Sequence, residues 1–221
     1  MRAMDYVTHA LQFFDDVVSG WMIGDLDNLE TKIPHVSSTN GNCNFPIALY
    51  VFSCLEFLGY LTSPTLIESK NPGFTAARIN AYMDMFFDPG YLSQIAPHRT
   101  KFVTIFRNGL AHEYFAKGAC VSRNTGILLR VDFTGIIILD ADEMYKAFKK
   151  SVEKLKKDIT DNKDNLAERI ITRYSQMQVD NEKYKSSTTT YTSSVSTSMA
   201  SLPHPDALKS ATTLPYKKQN P

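Results

Sequence analysis

The sequence lacks the features that mark several classes of protein. It has only three cysteines, widely spaced and without a CxxC pair, so neither a disulfide framework nor a cysteine zinc site is indicated. Its formal net charge is +1, so no overall charge favours a nucleic acid or a membrane, and any basic surface must be local. There is no Gly-rich phosphate loop, no cluster of metal-binding carboxylates and no internal repeat. We therefore expect no metal and no cofactor.

Secretory and membrane-spanning signals are missing as well. The first five residues lack the apolar core of a signal peptide. The longest apolar run, from Phe45 to Leu55, is broken by Ser53 and followed by Glu56, which makes it too short to span a bilayer. Together with the few cysteines, these features predict a soluble protein of a reducing, cytoplasmic compartment, without a membrane partner.

Apolar residues at three- and four-residue spacing predict a mainly α-helical fold that begins with a helical bundle. The predicted helices cover residues 4–24, 45–61, 74–87 and 97–117, and residues 25–44 are predicted to form a loop. The second helix is apolar nearly all round, so it is predicted to be the central one. Glu56 is its only charge. It either reaches solvent at the helix end or faces the polar residues of the fourth helix.

The spacing of apolar residues changes after Gly118, which is the expected C-cap of the fourth helix. Residues 127–133 alternate as a strand does, Thr134-Gly135 is a turn, and residues 136–139 form a second strand. Residues 119–122 are a candidate third strand. The pattern predicts a small antiparallel β-hairpin or a three-stranded sheet after the bundle.

One or two C-terminal helices are predicted next. Asp140 and Glu143 form a capping box for a helix over residues 141–159. One face of this helix is apolar, and the other carries six lysines: Lys146, Lys149, Lys150, Lys154, Lys156 and Lys157. This lysine face is either simply solvated or a footprint for an RNA backbone. A weaker helical pattern follows. Ser and Thr then dominate, and residues 186–221 are predicted to be a disordered tail.

The predicted organisation therefore has four parts. They are a helical bundle over residues 1–118, a β-hairpin extension over 119–140, C-terminal helices over 141–185 and the tail over 186–221.

A polar cluster interrupts the apolar fourth helix. Arg107, Asn108, His112 and Tyr114 lie among Phe and Leu residues, and burying an arginine or a histidine is costly unless it is paired. At about 100° per residue, Asn108 and His112 share a face, whereas Arg107 and His112 are roughly 140° apart. A second copy of the helix across a two-fold axis brings one Arg107 opposite the other His112. Gly109, costly inside a helix, fits a close helix approach. This pattern predicts a homodimer with a composite site.

The residue types of this cluster favour one kind of chemistry. A histidine acts as a general acid or base near neutral pH, and an arginine stabilises charge on a phosphate. Together they suit RNA cleavage in which the substrate's own 2′-hydroxyl is the nucleophile, so no metal is required. A buried structural network of His112, Asn108 and Arg107 is the alternative.

The motif Arg107-Asn108-x3-His112 resembles the Arg-x(4–6)-His signature of HEPN domains. The spacing Arg107-x4-His112-x-Tyr114 also resembles the extended motif of HepT-like toxins. The resemblance covers roughly residues 1–118 and implies an antiparallel helical bundle with the motif on its last helix. It also implies metal-independent RNA cleavage by Arg107 and His112, leaving a cyclic phosphate, with Asn108 helping to set the site.

In those toxins a nucleotidyltransferase antitoxin modifies the tyrosine. The resemblance therefore makes Tyr114 a candidate modification site, with a core aromatic as the alternative. The chain is longer than compact toxins of this kind. Two functions follow as hypotheses: an endoribonuclease acting on single-stranded RNA as a toxin or defence effector, or a non-catalytic HEPN module for dimerisation or for binding a nucleotide or partner.

Overall fold

The computed structural model describes residues 3–33, 43–68, 70, 73–113 and 118–192, with side chains from Met4 as far as Asn181. The described chain is mainly helical and includes a small three-stranded sheet, which confirms the mainly α class. Met1–Ser175 form one compact unit and Gln176–Pro221 a second, and each is described by itself. In the first unit, helices and sheet share a hydrophobic core that extends in sequence from Ala10 to Ile170. This core includes residues from both sides of the predicted boundaries at 118/119 and 140/141.

The first helical segment is longer than predicted. It consists of α1 (Ala3–Phe13), a π-helical stretch (Phe14–Ile23) and α2 (Gly24–Lys32). The predicted loop is wrong for its first eight residues, which belong to α2, whereas residues 34–42 lie outside the described part of the chain. Tertiary contacts stabilise this polar helix: Leu26 is fully buried, and Asp27 accepts hydrogen bonds from Tyr145 and Lys149.

Helix α3 (Asn44–Thr62) provides much of the bundle core, as predicted for the most apolar segment. The structure extends this helix beyond the apolar run read from the sequence. At 19 residues it is long and apolar enough, by length and composition alone, to cross a membrane. However, 56% of its most apolar window is buried inside the protein, which is also typical of a core helix, so this is weak evidence for a membrane span.

The remaining helices of the bundle come after α3 in the chain. They are α4 (Phe74–Phe86), α5 (Pro89–Ile95), a 3-10 turn (Ala96–His98), α6 (Arg99–Phe102), a π-helical stretch (Val103–Asn108) and α7 (Gly109–Glu113). Helix α4 confirms the prediction to within one residue. The predicted single helix over 97–117 is instead a succession of short segments with different hydrogen-bonding patterns. Gly118 adopts the left-handed backbone expected of a C-cap, with φ +63°.

The sheet has the order β1-β3-β2, formed by β1 (Ala119–Ser122), β2 (Leu129–Val131) and β3 (Ile137–Asp140). Strands β2 and β3 are antiparallel neighbours, but β1 pairs with β3 in parallel. Of the two predicted alternatives, the structure therefore has the three-stranded sheet, with one parallel and one antiparallel pair of strands. The alternating face predicted for residues 127–133 is largely exposed, and Phe133 is completely so. Within that face only Leu129 is buried, and Leu128 of the opposite face also enters the core.

Helix α8 (Ala141–Thr160) begins where the capping box predicts. The Asp140 carboxylate accepts hydrogen bonds from the backbone N–H groups of Asp142 and Glu143 at 2.9 and 3.1 Å. The predicted apolar stripe is buried; it consists of Met144, Phe148, Val152, Leu155 and Ile159. Helix α8 packs this stripe against α1, α3 and α4.

The lysine face of α8 is occupied by contacts within the chain. Three of the lysines form ion pairs with aspartates. The distance from Nζ to the carboxylate oxygen is 2.8 Å for Lys149 and Asp27, 2.5 Å for Lys150 and Asp88, and 2.8 Å for Lys156 and Asp15. The other three also have partners: Lys146 with Glu143, Lys157 with Asp161, and Lys154 with the Met85 carbonyl. Exposed pairs of this kind contribute little to stability, but they reduce the charge available to a phosphate backbone. The contacts favour a solvated structural face over an RNA footprint.

Beyond α8, a 3-10 turn (Lys163–Asn165) leads into α9 (Leu166–Thr192). Because α9 runs to Thr192, the first seven residues of the predicted disordered tail are helical. The rest of that tail, from residue 193, lies outside the described residues.

Substituting Asp140 is expected to destabilise the junction between the sheet and α8. The fully buried carboxylate caps α8 and also accepts hydrogen bonds from the backbone N–H and the hydroxyl of Thr125. Loss of the cap and of these partners predicts that Asp140→Ala lowers the free energy of unfolding by about 2–4 kcal/mol. Chemical denaturation measures the change. Asp140→Asn, which keeps one acceptor, should lose clearly less; equal losses would contradict this role of the carboxylate.

Candidate functional site

Three elements of the bundle meet around an ion pair. Helix α3 carries Glu56, α4 carries Thr75, and the second π-helical stretch carries Arg107. Arg107 Nη2 donates to Glu56 Oε2 at 2.7 Å, and Thr75 Oγ1 donates to Glu56 Oε1 at 2.9 Å. The side chains of Arg107 and Glu56 are only 22% and 15% exposed. Of the two alternatives for Glu56, the structure has the one in which it faces the polar cluster.

Arg107 retains hydrogen-bonding capacity beyond this pair. Its Nη1 donates to Asn108 Oδ1 over a long 3.3 Å, and its Nε is buried without a partner. A guanidinium has five N–H donors, of which the contacts to Glu56 and Asn108 use two. The Glu56 contact therefore fixes one edge of the guanidinium and leaves other donors for an anionic ligand.

His112 does not belong to a buried network. It lies on α7 with its side chain exposed, whereas Arg107 and Asn108 are half-buried. The alternative of a buried structural network of the three residues is therefore wrong for His112. An exposed imidazole is accessible to substrate and solvent, which general acid or base catalysis requires.

The backbone that carries the motif is not a regular α-helix. Val103–Asn108 is π-helical, and α-helical geometry resumes at Gly109. Because π-turns use i→i+5 hydrogen bonds, the 100° step of an α-helix does not describe how Arg107 is placed relative to the residues before it. Single π-turns inside helices occur frequently at functional sites.

Two further sequence-based interpretations of this segment can be compared with the structure. Gly109 is buried inside the chain, together with Leu110. Because Gly109 is buried within one protomer, it no longer supports a close helix approach between copies. Tyr114 lies in residues 114–117, outside the described part of the chain.

Sequence reasoning missed two neighbours of Glu56. Thr75 binds its carboxylate directly, and Arg78, one turn further along α4, lies within its electrostatic influence. Burial lowers the pKa of the Arg78 guanidinium, and the negative charge of Glu56 partly offsets that effect. Neither residue stands out in the sequence, because both are ordinary polar positions at the start of an amphipathic helix.

The described residues offer no obvious metal site. They contain no group of three or more His, Cys, Asp or Glu side chains placed to hold an ion. Cys54 is buried, and burial raises the pKa of its thiol to about 12. Such a thiol is a poor nucleophile at neutral pH. The Glu56–Arg107 pair and His112 therefore stand out as the chemically distinctive groups of the bundle.

Comparisons of the chain with protein-family models, with curated proteins and with solved structures give no match. The interpretation of the site therefore depends on its residues and their geometry. The resemblance of the Arg107–His112 motif to HEPN domains stays a prediction from the sequence.

Proposed function

We propose that this protein is a HEPN-type endoribonuclease that cleaves single-stranded RNA without a metal, as a cytoplasmic toxin or defence effector. The observation that carries the proposal is the ion pair between Glu56 and Arg107. It holds a half-buried guanidinium in a fixed orientation, five residues before the exposed His112. A fixed guanidinium is suited to a phosphate, and an exposed imidazole is suited to proton transfer.

In the proposed reaction, the substrate supplies its own nucleophile. His112 accepts the proton of a ribose 2′-hydroxyl, and the 2′-oxygen forms a bond to the adjacent phosphorus. The bond from phosphorus to the 5′-oxygen breaks, and that oxygen takes a proton from the His112 imidazolium formed in the first step. The products are a 2′,3′-cyclic phosphate and a 5′-hydroxyl. Arg107 stabilises the additional negative charge that develops on the phosphate oxygens, and Asn108 helps to orient Arg107.

The proposed active form is a homodimer. Helical geometry alone does not direct Arg107 and His112 of one chain to the same point, and His112 is exposed where a second protomer can approach. A two-fold axis places the Arg107 of one protomer beside the His112 of its partner. Each dimer then has two equivalent sites.

Regulation by a nucleotidyltransferase antitoxin belongs to the same proposal. Tyr114, two residues after His112, is the candidate acceptor. A nucleotide attached there would add a negative charge beside the site that binds RNA, which opposes RNA binding. Mass spectrometry of protein purified from its native host tests whether Tyr114 carries such a group.

A non-catalytic HEPN module is the second candidate function. The specific observation in its favour is that Glu56 and Asn108 already bind the guanidinium of Arg107, as expected for a structural arginine. In that case the site contributes to dimerisation or to binding a nucleotide or a partner. Arg107→Gln would then lower the melting temperature or the dimer fraction, and no RNA would be cleaved by the wild type.

The experiment that tests the proposed function is an RNA cleavage assay in excess EDTA. Purified wild-type protein is expected to cut single-stranded RNA, and the new 3′ ends should be cyclic phosphates. These ends resist ligation and labelling until the cyclic phosphate is removed, which distinguishes them from products with a 3′-hydroxyl. Absence of cleavage across a diverse RNA pool, or cleavage only with a divalent metal, would contradict the proposal.

A further inference from the structure

Two arginines contact the C-terminal end of α3. Arg173 of α9 donates from Nη1 to the carbonyl oxygens of Tyr60 and Leu61, at 2.6 and 3.4 Å. Arg78 of α4 stacks over the Tyr60 ring, with its guanidinium carbon 4.6 Å from the ring centroid. It also donates twice to the Ile67 carbonyl, at 2.8 and 2.6 Å. Two guanidinium groups therefore meet at Tyr60, bound to neutral acceptors.

Arg169 is one turn before Arg173 on α9, so the two side chains share a helix face. Arg169 lines a cavity of about 260 Å³, and its Nε is buried without a hydrogen-bond partner. Apolar residues form part of the wall: Pro64, Met85 and Leu166. An arginine that loses hydration without gaining a partner is unfavourable, and therefore points to a ligand that completes its contacts.

Charged residues of both signs line this cavity. Lys163 and Arg169 line it on the basic side, and Asp158 and Asp164 on the acidic side, but Asp158 is already 3.8 Å from Lys163 Nζ. Arg78 and Arg173 are not among the lining residues; both donate to backbone carbonyls, and the charge of Glu56 acts on Arg78. The lining itself has two cations and two carboxylates, and with Arg78, Arg173 and Glu56 included the count is four cations to three carboxylates.

The surroundings of these three guanidinium groups change their pKa values. Burial lowers the pKa of Arg169, Arg78 and Arg173. Repulsion from Arg169 and Arg78 lowers the pKa of Arg173 further. The Asp164 carboxylate partly offsets the effect of burial on the pKa of Arg169. All three guanidinium groups remain charged at neutral pH, and a bound anion would relieve the repulsion that acts on Arg173.

We infer that the cavity beside Arg169 binds a phosphate group, either as inorganic phosphate or as the phosphate of a mononucleotide. A guanidinium offers two parallel N–H donors that match two phosphate oxygens, and Arg173 and Lys163 add positive charge nearby. The apolar wall suits the body of a small ligand that carries the phosphate. The site is separate from Arg107 and His112, so it does not depend on RNA cleavage.

Thermal unfolding of the full chain tests this site. We expect sodium phosphate to raise the melting temperature of the wild type relative to sodium chloride at equal ionic strength. At a hundredfold excess over the Kd, the rise should be about 5–10 °C. Arg169→Gln should abolish the rise, whereas Arg130→Gln, which removes an exposed arginine from β2, should retain it.

A second arm identifies the source of the phosphate. Adenosine 5′-monophosphate that acts at lower concentration than inorganic phosphate assigns the site to a nucleotide; the reverse order assigns it to free phosphate. An equal rise in wild type and Arg169→Gln, or no rise in the wild type with either compound, would overturn the inference.

The melting temperature of Arg169→Gln without phosphate is the control for correct folding of this variant. Because Arg169 Nε has no partner, Arg169→Gln in phosphate-free buffer should melt within about 2 °C of the wild type. A large fall would show a structural role for Arg169 instead and would also overturn the inference. Isothermal titration of both proteins with phosphate at a temperature where each is folded provides the binding measurement without relying on melting.

Discussion

His112→Ala is expected to reduce the rate of RNA cleavage by about 10²–10⁴-fold while leaving the fold intact, because the proposed mechanism uses the imidazole as the general acid and base. The exposure of His112 makes this a clean substitution. Replacing an exposed side chain that fills no part of the core usually changes stability by less than about 0.5 kcal/mol. Cleavage is measured in EDTA with a fluorescent single-stranded RNA, and stability by thermal unfolding.

The matched control for this prediction is His9→Ala. His9 is also an exposed histidine on a helix, but it lies on α1 and is not part of the proposed site. The His9→Ala variant should cleave RNA at the wild-type rate. If His112→Ala and His9→Ala both retain full activity, the proton transfer assigned to His112 is wrong. A loss in both would point to a contaminating nuclease or to a general defect in folding.

Gly59→Ala is expected to lower the free energy of unfolding by about 3 kcal/mol or more. Gly59 lies where the backbones of α3 and α4 touch, and a Cβ built on it would be 2.0 Å from the carbonyl oxygen of Arg78 and 2.6 Å from its carbonyl carbon. Side-chain rotation cannot relieve a collision with backbone. The two helices would have to separate, and the close packing of the core makes such a shift costly. Urea denaturation measures the change.

Gly90→Ala is the control for the glycine substitution. Gly90 is in α5, and a Cβ there would meet nothing within 4 Å. Helix propensity favours alanine over glycine by up to about 1 kcal/mol, so this variant should be as stable as the wild type or more stable. A loss below about 1 kcal/mol in Gly59→Ala would show that α3 and α4 are not in the close contact described.

Separating α3 from α4 should also affect the site. Glu56 is on α3, and the Thr75 hydroxyl that binds it is on α4. Movement between the helices therefore alters the support of the carboxylate that orients Arg107. The same contact that stabilises the bundle positions the guanidinium proposed to bind phosphate.

The elements that could be predicted from sequence are those whose own residues determine them. Helix α3 is apolar along its length, α4 is bounded by turn-forming residues, and α8 has both an apolar stripe and the capping residue Asp140. Local patterns of this kind agree with the tertiary structure because the same residues form the helix and fill the core.

Elements that depend on distant partners were not predictable in this way. Helix α2 is polar, and it is held through Leu26 and through hydrogen bonds from α8 to Asp27. The parallel pairing of β1 with β3 is a contact between segments that are not neighbours in sequence. The π-helical turn before Gly109 likewise has no simple signature in the order of its residues.

The candidate site illustrates both situations. A lone carboxylate in an apolar helix indicated that Glu56 had a special position, and it is indeed the partner of Arg107. Periodicity could not decide between its two possible orientations, because these depend on how α3 packs against the π-helical stretch. Arg169 was not selected at all, since its unusual feature is a missing partner, which only a three-dimensional arrangement reveals.

The most direct test of the proposed composite site is complementation between two inactive variants. His112→Ala and Arg107→Gln are co-expressed so that mixed dimers form. In a mixed dimer, the intact Arg107 of one protomer meets the intact His112 of the other at one of the two sites.

A composite site predicts that the mixture recovers about a quarter of the wild-type rate in EDTA, although each variant alone is inactive. Co-expression of His112→Ala with a chain carrying both substitutions should recover nothing. Mixed dimers that form but show no recovery, or a wild-type protein that is monomeric, would contradict it.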